Sequence, residues 1–222
     1  MKKPIFYVCF ALFFVNAHAQ KGYVKFRGSV TILGSTRGIM NGMEDAGYNA
    51  KGVSNWLFGG STDYPTKFKA PSLYIEGGLY VKENRSVSVV AGLEDAGDVD
   101  GQSYSGGGAH LNHKGYVFSP RLNFHQHAAV LGFGPALMIY NYSDATNFSG
   151  PKGTKAFPGA SFSAERLFRG KKQFSVGVFG SLNLYTSATI QIISSSATLA
   201  AGQKTKINPS NLQAGLFLRY GK

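Results

Sequence analysis

Strict alternation of apolar and polar residues recurs eight times along this chain, and it constrains the fold more than any other feature. The segments are 22–33, 72–81, 86–97, 115–125, 128–141, 158–168, 173–187 and 211–220. In the first, Val24, Phe26, Val30 and Ile32 share one face, while Lys25, Arg27, Ser29 and Thr31 share the other. In the seventh, Phe174, Val176, Val178, Leu182 and Leu184 oppose Ser175, Gly177, Ser181 and Asn183. A period of two places successive side chains on opposite faces of a strand, so the chain reads as half-buried strands rather than helices. Composition agrees, with 29 glycines in 222 residues, 14% aromatics and only 15% charged residues. Ordinary domains carry ~25% charged residues, so a coiled coil and a disordered polar chain are both excluded.

Residues 1–19 read as a cleaved secretory leader rather than as part of the fold. Lys2 and Lys3 precede an apolar stretch, Ile5 to Val15, and Ala17-His18-Ala19 forms a small-x-small cleavage site. The fold is therefore expected over 20–222. The single cysteine, Cys9, lies in that leader, so no disulfide is expected in the mature domain. Beyond it no run of ~18 apolar residues suggests a membrane-spanning helix. A membrane-spanning strand needs only ~9–11 residues and is not excluded.

The connectors alternate in length as the strands alternate in pattern. Those at 82–85, 126–127 and 169–172 are short. Those at 34–71, 98–114, 142–157 and 188–210 are long. Short turns at one end and four long loops at the other are the layout of outer-membrane barrels, with periplasmic turns and extracellular loops. The faces point the same way. The polar face is rich in Ser and Gly, which suits the crowded interior of an eight-stranded barrel. A face turned to water would carry more Lys and Glu. The expected fold is all-β: an eight-stranded antiparallel transmembrane barrel. Tyr23, Tyr80, Tyr116, Tyr140, Tyr142, Phe157, Phe168, Tyr185 and Tyr220 fall near strand ends, where interfacial aromatic girdles are expected. Pro120 and Pro135 each remove a ladder donor, so local irregularity is expected there.

The whole chain after the leader resembles the small eight-stranded outer-membrane barrels of Gram-negative bacteria, the OmpA, OmpX and opacity-protein type. The sharpest motif is in the last strand, where Gln213, Gly215, Leu218 and Tyr220 resemble the C-terminal assembly signal of that family. Here Gly221 and Lys222 follow the aromatic residue. The resemblance implies an outer-membrane location, contact with outer-membrane lipid and insertion by the barrel assembly machinery.

Candidate chemistry is sparse. Arg27, Glu76, Arg121 and Glu165 lie on the polar face a few residues from the short-turn end, and are expected to form an ion-pair network inside the barrel. His110-x-x-His113 and His125-x-His127 lack an evident third metal ligand. Asp95, Asp98 and Asp100 miss the spacing of a calcium loop. No catalytic residue, metal site or cofactor is assigned. The formal charge is +12, from 23 Lys and Arg against 11 Asp and Glu. Export makes nucleic acid an unsuitable partner. The expected function is non-enzymatic, of structural or surface-interaction type, with a surface ligand at the aromatic-rich connector 34–71. The alternatives are a narrow, porin-like conduit for small apolar molecules and a lipid-modifying enzyme.

Overall fold

The computed structural model describes residues 22–31, 48–55, 61–62, 71–103, 108–144, 152–168, 173–193 and 203–221. The leader, the Trp56 region and the Gly42–Gly47 stretch lie outside the described residues. The strands are β1 (Gly22–Thr31), β2 (Tyr48–Asn55), β3 (Ser61–Thr62), β4 (Pro71–Lys82), β5 (Arg85–Ser103) and β6 (Gly108–Gln126). They continue as β7 (Ala129–Asp144), β8 (Lys152–Phe168), β9 (Phe174–Tyr185), β10 (Ala188–Ile193), β11 (Gln203–Ile207) and β12 (Asn211–Gly221).

Eight of these close a barrel. The hydrogen-bonded order β5-β4-β1-β12-β9-β8-β7-β6 returns to β5 through a β5–β6 ladder, and every pairing is antiparallel. Closure removes the free edges that an open sheet would expose. The seam joins the first strand to the last, from Tyr23↔Gly221 to Thr31↔Gln213. Gly215 sits on that seam because a Cβ there would lie 2.1 Å from the Gly28 carbonyl oxygen.

Each wall strand matches one alternating segment, but several run further at the long-loop end. β5 reaches Ser103 and β6 begins at Gly108, so most of the expected 98–114 connector is paired strand. Likewise β7 reaches Asp144 and β8 begins at Lys152. These extensions are rich in Gly, Asp and Asn. They are held by backbone pairing, and their outward positions lack the apolar run that marks the barrel wall below them. The connector 34–71 carries β2, which pairs with the far end of β5. The connector 188–210 carries the β10–β11 hairpin.

Burial follows the alternation with the faces inverted relative to a water-soluble barrel. Leu216 is 67% exposed, Leu131 60% and Phe26 51%, while Lys25, Glu76 and Ser161 are fully buried in the lumen. On β6 to β8 the outward apolar positions span 116–124, 131–139 and 156–164. Two polar-edged rows bound this belt in register: Lys114, Asn141 and Thr154 above, and Gln126, Ala129 and Arg166 below. At the usual strand rise and barrel tilt the belt is about 25 Å tall.

The aromatic girdles are a correction. Tyr23, Tyr140, Tyr142, Phe157 and Tyr185 are buried in the barrel, and only Tyr116, Phe168 and Tyr220 of the outward set are exposed. Tyr80 also faces the lumen, where its hydroxyl accepts from Arg219 at 2.7 Å. The inward residues share the face of the lumen charges: Tyr23 lies two residues from Lys25. Their rings fill the lumen rather than mark an interface. At the long-loop end Tyr140, Met138, Phe157 and Leu111 form an apolar cluster with Ile190 and Ile207 of the β10–β11 hairpin. That hairpin is thereby packed over the mouth of the barrel.

Pro120 and Pro135 face each other across β6 and β7. The ladder stops at Phe118↔Leu137 and resumes at Leu122↔Phe133 with its register unchanged. The irregularity is thus an interval without ladder pairing rather than a bulge. Two residues without N–H groups meet there, and the Ser119 hydroxyl donates to the Pro135 carbonyl at 2.9 Å.

Candidate functional site: the charged lumen

The lumen charges are placed by strand parity. Lys25 and Arg27 stand two apart on β1 and so project to the same side. Lys25 is the direct cross-strand partner of Glu76 on β4. Glu165 enters from β8. Lys25 Nζ lies 3.2 Å from Glu76 Oε1 and 2.7 Å from Glu165 Oε2. Arg27 Nε lies 3.4 Å from Glu76 Oε2, and its Nη2 bonds Glu165 Oε1. Each of the four side chains is at most 1% exposed. Two cations and two anions therefore neutralise one another out of contact with bulk water. Aromatic faces complete the surroundings: the Arg27 guanidinium lies 4.4 Å from the Phe179 ring centroid, and Lys25 Nζ 4.7 Å from that of Tyr23.

Arg121 sits at a similar height but outside this quartet. Its Nη2 donates to Ser161 Oγ at 2.6 Å and its Nη1 to Ser163 Oγ at 3.4 Å. Distance from the turn end predicts height in a barrel, but not position around it. Lys25 occupies the ion-pairing role expected of Arg121. Its signal in the sequence was its shared face with Arg27.

A second polar cluster lies nearer the long-loop end. Glu94 accepts from Asn183 at 3.3 Å, from Tyr185 at 3.3 Å, and from Asn211 and Gln213. Gln213 also donates to the Tyr74 hydroxyl at 2.6 Å. Sequence reasoning missed this cluster, although Glu94, Asn183 and Gln213 all fall on the inward parity. Within the expected assembly signal, Gln213 is buried inside the barrel, while Leu218 and Tyr220 face outward. Tyr220 packs against Phe174 with ring centroids 4.9 Å apart.

The histidines separate. His113 is buried and stacks on Tyr140 at 5.8 Å. His125, at the other end, shares a 2.8 Å hydrogen bond with Ser86 Oγ. His127 occupies the two-residue turn with φ of 53°, the left-handed conformation such a hairpin uses. The side chains of His110, Asp95, Asp98 and Asp100 lie outside the described residues.

No family model matches the chain. No curated protein matches it in sequence. Among solved structures the chain is similar to the outer membrane protein OprG from Pseudomonas aeruginosa, at 11% identity and a TM-score of 0.48, over 91% of this chain and 98% of that one. It is similar to Neisserial surface protein A, at 11% identity and a TM-score of 0.44, over 91% and 98%. It is also similar to Ail, the attachment invasion locus protein of Yersinia pestis, solved with the heparin analogue sucrose octasulfate, at 9% identity and a TM-score of 0.41, over 90% and 100%.

Proposed function

We propose that this chain is an outer-membrane β-barrel of structural or surface-interaction type, with a packed rather than open lumen. One observation carries the reading: the barrel turns its apolar side chains outward and buries a neutral charge quartet inside. In water an outward belt of Phe, Leu and Val about 25 Å tall would be a severe aggregation liability. In a bilayer it matches the lipid-facing band of a spanning barrel. Filled by Tyr23, the quartet, the Glu94 cluster and the capping hairpin, the lumen favours a scaffold over a porin-like channel. The barrel assembly machinery inserts the chain by reading its last strand, Gln213 to Tyr220. The connector 34–71 presents the surface for a ligand.

A lateral conduit for small apolar molecules is the second reading. It is favoured by the unpaired interval at Pro120 and Pro135, beneath an outward cleft of about 500 Å³ lined by Leu79, Val87, Phe133 and both prolines. A conduit would carry apolar solutes into vesicles containing the protein, and a scaffold would not.

Location and orientation are tested together by protease added to intact cells. Cleavage is expected within 34–71 or 188–210, in protein that sediments with the outer membrane. The short connectors 82–85, 126–127 and 169–172 are expected to survive until the cells are opened. Cleavage confined to those short turns would reverse the orientation, and recovery in a soluble fraction would contradict the membrane reading.

A further inference from the structure

On the outer wall of β6, β7 and β8, polar residues form two complete cross-strand rows at the long-loop end. Asn112, Ser143 and Lys152 make the upper row, and Lys114, Asn141 and Thr154 the lower. The next outward row down is Tyr116, Ile139 and Ala156, the first of the apolar belt. The polar rows line an open cleft of about 310 Å³, and no carboxylate is among its described lining residues. Both lysines are exposed. They stand two strands apart, about 10 Å laterally, so their flexible stems can converge on one anion. Thr154 Oγ1 donates to Asn141 Oδ1 at 2.8 Å, which leaves the Asn141 NH₂ group to donate outward.

We propose that this cleft binds the phosphate headgroup of an anionic lipid in the leaflet at the long-loop end. The proposal rests on the membrane reading above. Two ammonium groups supply the charge, and the Asn141 amide and the Ser143 hydroxyl are neutral donors that suit a tetrahedral oxyanion. The apolar row beneath decides the source. A free phosphate would meet only two solvated lysines, whereas a lipid also lays its acyl chain along Tyr116 and Ile139. Each basic residue near an anionic headgroup contributes about a fivefold gain in local binding.

The test uses the full chain with Cys9→Ser and Phe118→Cys, in the outward row just below Tyr116 and Ile139, labelled with bimane and reconstituted in phosphatidylcholine vesicles. These contain equal fractions of either brominated phosphatidic acid or brominated phosphatidylcholine. Phosphatidic acid is expected to quench position 118 several-fold more effectively than phosphatidylcholine. The excess is expected to vanish in Lys114→Gln/Lys152→Gln and to be absent from a label at Leu216→Cys on a different part of the wall. Equal quenching by the two lipids would overturn the site while leaving the membrane reading intact. Quenching by neither would overturn both. Loss of the excess on adding inorganic phosphate would overturn the lipid as the source of the anion.

Discussion

Glu165→Ala is expected to lower the stability of the folded barrel by about 3–5 kcal/mol, the scale for breaking a buried ion pair by removing one partner. Glu165 accepts from both Lys25 and Arg27. Its loss leaves two buried cations facing the single carboxylate of Glu76, and no bulk water reaches them. Urea unfolding of the protein in lipid vesicles measures the effect. Arg166→Ala, on the exposed neighbouring residue, is the control and is expected to change stability by no more than ~0.5 kcal/mol. Charge balance makes a second demand. Lys25→Met combined with Glu165→Ala restores one cation against one anion, so the double variant is expected to lose less than the two single losses summed. Additive losses would mean that the four groups do not act as a unit.

Leu216→Arg is expected to cost about 2–4 kcal/mol if the barrel spans a bilayer, because it places a guanidinium near the middle of the outward apolar belt. Leu216 lies at the centre of the outward row Leu212, Ala214, Leu216, Leu218 and Tyr220. It is 67% exposed, so burial within the protein cannot account for such a loss. The same substitution on a barrel facing water would alter a surface position and change stability by ~0.5 kcal/mol or less. Unfolding in vesicles distinguishes the two outcomes.

The barrel wall was legible because alternation is a local signal that a half-buried strand must carry. Parity assigned Lys25, Arg27, Glu76 and Glu165 to one interior and Leu182 and Leu216 to one exterior. Three things were not legible, for physical reasons. Azimuth around the barrel depends on register, which no single strand encodes, so distance from the turn end alone puts Arg121 in the quartet where Lys25 stands. Strand beyond the outward apolar belt lacks the run of alternating residues, so in the sequence β2, β10 and the far ends of β5 and β6 look the same as connectors. Aromatics near strand ends fit both a girdle and a filled lumen. Only their shared parity with the charges, as for Tyr23 and Tyr185, tells the two apart.

Neighbouring positions on β9 distinguish an apolar face that meets lipid from one that is packed away from it. Leu182 is 42% exposed on the outer wall, and Ser181 is 4% exposed in the lumen, where it donates to Gln213 at 3.1 Å. Single cysteines at 181 and 182, in a Cys9→Ser background, are labelled and placed in detergent-free vesicles. A lipid-soluble quencher is expected to reach the label at 182 and not the label at 181. Shielding of 182 from lipid, with free reaction of 181 toward a water-soluble maleimide, would mean that the polar face meets water and the barrel does not span a bilayer.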